Sequence, residues 1–178
     1  MKQTIIITAE RTKVSEADNI YNDCCFRKTM VKDVPLSEIT LRKYEKPYDS
    51  SKRELVKKVC LSLGLLQPGD SRDVVVDILL ALENARKERK ELTSVEIQNL
   101  VKKIRKENSL DEKGLAESNV RRQLKRLRDL MLVDKNNNLY RLSEFETLSE
   151  IFNKKIEQFL IPQTIERIKE YLKKLEGS

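Results

Sequence analysis

Six stretches of this chain repeat apolar residues at the three- and four-residue spacing of a helix face, and five of them open on a serine or threonine placed to cap a helix. Ser51-Lys52-Arg53-Glu54 is a capping box, in which the Ser51 and Glu54 side chains satisfy each other's free backbone N–H groups. The helix it starts puts Leu55, Val56, Val59, Cys60 and Leu63 on one face and stops at Gly64 and Pro68-Gly69. Ser71 is placed to cap a second helix from Arg72 to about Lys90. Its first half, VVVDILLAL, is apolar nearly all round and predicts a central, buried helix, and its second half, ENARKERKE, predicts a solvated one. Thr93-Ser94-Val95-Glu96 is another capping box, with Leu92 and Ile97 at the two positions of a hydrophobic staple, and Ile97, Leu100, Val101 and Ile104 form the stripe of a third helix. After a polar stretch, KENSLDEKG, Ser118 opens a fourth. There Val120, Leu124, Leu127 and Met131 form one narrow apolar stripe, with Asn119, Arg122, Lys125, Arg126 and Asp129 pointing the other way.

The period then changes. In LVDKNNNLYRL, residues 132–142, two short apolar runs flank a cluster of turn formers, which predicts a β-hairpin. Ser143-Glu144-Phe145-Glu146 is read as a further capping box, opening a helix with Leu148, Ile151, Phe152, Ile156, Phe159 and Leu160. Pro162 introduces a last helix whose Ile165, Ile168, Leu172 and Leu175, spaced 3-4-3, make a short a/d seam. Before residue 50 the signals are weaker. Thr4–Thr8 is β-branched throughout and reads as a short strand, while Ile39–Pro47 reads as extended, either a strand or an arm on the surface. The expected fold class is mainly α with a small β-hairpin. Residues 1–49 form an N-terminal segment with short strands, 50–142 the central domain with a leading helix, and 143–178 a C-terminal helical pair.

Composition narrows the function. The chain has no histidine, and its three cysteines, Cys24, Cys25 and Cys60, match neither a disulfide nor a zinc spacing. The four glycines form no phosphate loop. A Ser-His-Asp triad, a Cys-His pair and an HExxH helix are all excluded, so the chain is read as a non-enzyme with no cofactor and no metal. Cys24 and Cys25 are read as buried small apolar residues or as a redox sensor. No apolar run approaches the roughly 20 residues that span a bilayer, and the N-terminal run is too short for a signal peptide, so a cytoplasmic protein with no membrane partner is expected. The net charge is +7, and its placement matters more than its size. Residues 117–142 carry seven basic and three acidic groups, more than half of the excess in one short segment. Localised positive charge is what phosphate binding requires.

The segment ESNVRRQLKRLRDLMLVDKNNNLYRLS, residues 117–143, resembles the winged helix-turn-helix family of DNA-binding domains, and among them small archaeal transcription regulators. There a serine-capped recognition helix with a Val/Leu/Leu stripe runs directly into a polar-tipped wing. The resemblance covers roughly Arg72 to Ser143. It implies a recognition helix at 118–131 lying in the major groove and a wing at 132–142. Asn119, Arg122 and Gln123 then reach base edges near the helix start, Arg121 is a further DNA-binding residue, Lys125 and Arg126 meet phosphates, and Lys135 and Arg141 belong to the wing. A small residue usually stands where Met131 does, which implies a helix that runs on slightly or bends differently. The resemblance points to a sequence-specific regulator binding promoter or operator duplex DNA, with the transcription machinery as a possible further partner. The C-terminal pair is expected to make a homodimer, because half-sites match a two-fold axis. The alternative is a winged-helix interaction module of a replication, transcription or chromosome-segregation assembly. Tyr44, Pro47 and Tyr48, set among Arg42, Lys43 and Lys46, are read either as packing on the core or as an arm on DNA.

Overall fold

An acid in the middle of an apolar helix must find cations, and that requirement organises the first half of the fold. The computed structural model describes residues 35–177, of which residues from Ser37 onward group into one unit. The expected strand at Thr4–Thr8 and the Cys24-Cys25 pair lie outside the described residues. The elements are α1 (Lys52–Ser62), α2 (Val74–Lys87), β1 (Leu92–Thr93), α3 (Ser94–Glu107), α4 (Glu117–Asp129), β2 (Val133–Asn136), β3 (Leu139–Leu142), α5 (Leu148–Ile151), a π-helical stretch (Phe152–Leu160) and α6 (Ile161–Glu176). The described residues are therefore mainly helical, with one small antiparallel sheet in the order β1-β3-β2. Among them no helix is long and apolar enough to cross a membrane.

α2 is the central element, with Val74 through Leu82 all buried, as its apolar run predicts. Within that run Asp77 is fully buried, and Asp73 one turn earlier nearly so. Arg53 of α1 donates to Asp77 at 2.8 Å and to Asp73 at 2.7 Å, while Arg105 of α3 donates to Asp77 at 2.6 Å and to Asp73 at 3.0 Å. The same Arg105 guanidinium, 3% exposed, also donates to the Asp111 carbonyl at 2.7 Å. Two arginines and two aspartates thus join α1, α2, α3 and the following loop. Asp73 is occupied in this way, which explains why α2 begins at Val74 with no side-chain cap. Ser71, the expected cap, lies in the preceding loop. The expected apolar stripe of α3 is also displaced, since Leu100 is 37% exposed and Arg105 takes an inward place.

Thr93 and Glu96 form the expected capping box of α3, and Leu92 and Ile97 are buried beside it. Leu92 and Thr93 do more than that. They pair with Tyr140 and Leu139 of β3, adding a strand too short to leave a period in the sequence. The hairpin forms as expected, with Asn136 opposite Leu139 and a two-residue turn at Asn137 and Asn138, both at positive φ, the type I′ geometry that asparagine tolerates.

Three helices end in left-handed residues that are not glycine: Arg89 after α2, Ser109 after α3 and Met131 after α4. Each is followed by a backbone bond spanning five residues, Lys90 to Ala85, Leu110 to Arg105 and Leu132 to Leu127, the Schellman arrangement. α2 accordingly stops at Lys87 rather than near Lys90. Met131 takes the bent alternative of the two sequence readings: at φ 57 it turns the chain into β2, and Leu130 is buried in its place on the apolar stripe.

After β3, Ser143 does not cap a helix. Its hydroxyl bonds the Asp134 carboxylate at 3.2 Å, and Glu144 and Phe145 adopt positive φ. The capping box falls four residues later, at Thr147 and Glu150. Pro162 does not break the helix either. The backbone stays right-handed helical at Ile151, Phe152, Leu160 and Ile161, and the Ile161 amide bonds the Ile156 carbonyl in the wider π spacing just before the proline, which has no N–H to offer.

The described segment before α1 has neither helix nor strand. The Arg42 guanidinium donates to the carbonyls of Leu61 and Leu66 and to the Gln67 side chain, so this part packs on the fold. Thr40 lies against Gly64, where a Cβ would come 2.5 Å from the Thr40 Cβ at a φ of +68°. Gly64→Ala should therefore cost about 2–3 kcal/mol in urea unfolding, combining left-handed strain with a clash. Gly69→Ala, at φ +80° with nothing near, should cost about 1 kcal/mol.

Candidate nucleic-acid interface

α4 opens at Glu117, with Ala116 rather than Ser118 in the cap position and no side-chain cap bond. Its start is anchored instead by Asn119, whose amide donates to the Gly114 carbonyl at 2.6 Å. Val120, Leu124 and Leu127 are fully buried and fix the rotation of the helix. The opposite side is an exposed stripe of Ser118, Arg121, Arg122, Lys125 and Arg128, with the acid Asp129 exposed among them. Arg121 pairs with Glu117 at 2.6 Å, and Arg122 donates to the Asn119 side-chain oxygen at 2.8 Å. Lys125 and Arg128 have no side-chain hydrogen bond or ion pair among the described residues.

The other expected residues do not all join this face. Gln123 is 9% exposed and lies between Asn119 and Arg126, accepting from the Arg126 guanidinium at 3.0 Å. Arg126 is partly buried and donates to the Gly64 carbonyl at 3.1 Å, tying α4 to the turn after α1. Arg141 is held by Glu91 at 3.1 Å, stands 3.8 Å from Asp134 and lies over the Phe145 ring at 4.9 Å. Its Nε is buried with no hydrogen-bond partner among the described residues. Lys135 is exposed and sits over the Tyr140 ring at 5.7 Å. The geometry thus brings Arg121, Arg122 and Lys125 onto one open surface. It puts Asn119, Gln123 and Arg126 on the flank facing the α1–α2 turn, and uses Arg141 to brace the hairpin.

The structure adds cations that the sequence did not single out. Arg128 continues the stripe. Arg72 and Lys113 line a polar groove with Asp70, Ser118, Asn119, Arg122 and Arg126, at the N-terminal ends of both α2 and α4. Helix N-termini carry partial positive charge, so groove and stripe together favour anions. Arg72 and Lys113 sit in loops, 45 and 4 residues before α4 begins, where no helical period could mark them.

Beneath this region Cys60 is fully buried, and burial pushes its thiol up to about 12, against the opposing pull of Arg126. It is a packing residue at neutral pH. The surface offers fixed cations and amides. Such groups can offer charge and hydrogen bonds to an anion. No protein-family model, no curated protein and no solved structure matches this chain.

Proposed function

We propose that residues 74–142 form a winged helix-turn-helix domain and that the protein is a sequence-specific regulator of transcription that binds duplex DNA in the cytoplasm. In this reading α2, α3 and α4 are its three helices, β1 pairs with the β2–β3 wing, and α4 lies in the major groove, which is wide enough for one helix. The observation that carries the reading is the stripe Arg121, Arg122, Lys125 and Arg128 on the open side of α4, with Lys125 and Arg128 unpaired and the opposite side locked by three fully buried residues. Cations that are unpaired in the free protein cost less to transfer to phosphates than those that must first give up a carboxylate. Arg121 and Arg122, in the first half of α4, are the base-reading candidates, because arginine pairs bidentately with guanine. Lys125, Arg128 and the groove residues Arg72 and Lys113 serve the backbone.

One observation favours the second reading, an interaction module of a larger nucleic-acid assembly. The wing is poorly suited to phosphate contact, since Arg141 is neutralised by Glu91 and the turn is uncharged asparagine, leaving Lys135 as its exposed cation. Selection of bound duplexes from a random-sequence pool separates the two. The regulator reading expects enrichment of one motif; uniform recovery of all sequences would support the module instead.

A further inference from the structure

Beyond Ile161, which is partly buried against the core, α6 lies open, yet it carries a regular apolar seam. Ile165, Ile168, Leu172 and Leu175 are 47%, 54%, 52% and 74% exposed, with Tyr171 beside them at 69%. We propose that this seam is where two copies of the chain join, pairing their α6 helices as a short coiled coil. The claim does not depend on the nucleic-acid reading above.

Three features select a second copy as the occupant. The first is the width of the apolar stripe. Ile165 and Leu172 fall on one heptad position and Ile168 and Leu175 on another, giving the narrow line that a partner helix covers with knobs in holes, rather than the broad face that lies on a membrane. The second is charge. The rest of α6 carries Arg167, Lys169, Lys173 and Lys174 against Glu166, Glu170 and Glu176, a near balance of signs. An anionic bilayer surface selects a one-signed basic face, and an oppositely charged partner selects a one-signed face of either kind, whereas a balanced helix pairs with itself without net repulsion. The third is area. Covering these five residues removes about 500 Å² of apolar side chain per protomer, which matches the apolar share of the roughly 800 Å² per partner found in stable interfaces.

The fold also presents the seam stiffly. The helical backbone runs from Leu148 through Ile161 into α6, and Ile151, Ile156 and Leu160 anchor the first half in the core. α6 is about 24 Å long at 1.5 Å per residue, enough for two heptads. Two such rods joined along their seams hold their cores at a set separation.

Sedimentation equilibrium of the full chain across the micromolar range tests this. The parent should approach twice the 20.8 kDa chain mass. Ile168→Glu with Leu172→Glu should sediment as the monomer and remain folded, because both side chains are exposed on the single chain. The milder pair Ile168→Ala and Leu172→Ala retains helix propensity and should weaken association about tenfold or more, which guards against misfolding in the charged variant. A parent that stays monomeric at every concentration overturns the proposal, and so does a charged variant that remains folded and dimeric.

Discussion

Replacing Asp77 with alanine should lower the stability of the fold by about 3–5 kcal/mol, a large share of the 5–15 kcal/mol that holds a typical domain together. The reason lies in what the substitution leaves behind. Asp77 is fully buried and Arg105 is 3% exposed, with the two joined at 2.6 Å and Arg53 closing the cluster at 2.8 Å. Removing the carboxylate leaves guanidinium charge short of its partner in a site that water reaches poorly. Urea unfolding should show the loss as a lower midpoint at unchanged slope. Removing both members, as Asp77→Leu with Arg105→Met, should recover most of the loss, because the buried charge and its partner disappear together. A single variant within about 1 kcal/mol of the parent would show that the cluster is more open to solvent than its geometry indicates.

The cluster also sets the response to acid. Burial raises the pKa of Asp73, but the hydrogen bonds from Arg53 and Arg105 outweigh it and hold the carboxyl below the usual carboxylate range. A folded-state pKa below the unfolded one adds stability that is present above the unfolded value, about 3.9, and that is lost as pH falls through the folded value. Stability should therefore be nearly level from neutral pH to about 5 and decline at lower pH, and it should decline less in an Asp73→Asn variant.

The second large effect concerns the open side of α4. Arg122→Ala, Lys125→Ala and Arg128→Ala together should weaken duplex DNA binding by about 10²–10³ at moderate salt, with little change in melting temperature, since all three side chains are exposed. Arg126→Ala is a different experiment. Its guanidinium ties α4 to the Gly64 carbonyl and to Gln123, so stability should fall with it, and any loss of binding would follow from a shifted helix. Filter binding or fluorescence anisotropy, read beside thermal melting of each variant, separates the two cases.

These distinctions show which features a sequence carries on its surface. The hairpin was legible because Asn137 and Asn138 take the positive φ that a two-residue turn demands, and asparagine is among the residues that tolerate it. The ends of α2, α3 and α4 were not legible. Arg89, Ser109 and Met131 occupy positions where glycine is the usual signal, and the Schellman bonds that hold them follow from chain direction rather than residue type. The start of the C-terminal helix was ambiguous for another reason. Ser143-Glu144-Phe145-Glu146 and Thr147-Leu148-Ser149-Glu150 have the same capping pattern, and a tertiary contact, Ser143 to Asp134, removes the first from the competition.

The candidate site divides similarly. At 100° per residue Gln123 lies about 60° from Val120, close enough to the apolar stripe to be turned inward, whereas Lys125 lies about 140° away and faces out. Helical geometry thus marked the centre of the basic face but not its flank. Whether Asn119, Gln123 and Arg126 are open depends on the α1–α2 turn that packs beside them, and Arg72 reaches the groove through that same turn. The lone acid in VVVDILLAL is a sign of the buried cluster that the reading of that run as apolar passed over, because an ionised group in an apolar run requires a partner. The identity of that partner, Arg105 on another helix, follows only from the packing.

The central claim is that the outward stripe of α4 meets DNA phosphates. The most direct measurement is the salt dependence of duplex binding for the parent and for the Arg122, Lys125 and Arg128 triple alanine variant, followed by anisotropy on one labelled duplex. Each phosphate contact contributes about −0.9 to the slope of log K against log salt, so the parent should show a steep slope and the variant, which loses the backbone contacts of Lys125 and Arg128, one shallower by about 2 units, at equal thermal stability. A parent that does not bind duplex DNA, or a variant whose slope and affinity equal the parent's, would contradict the account.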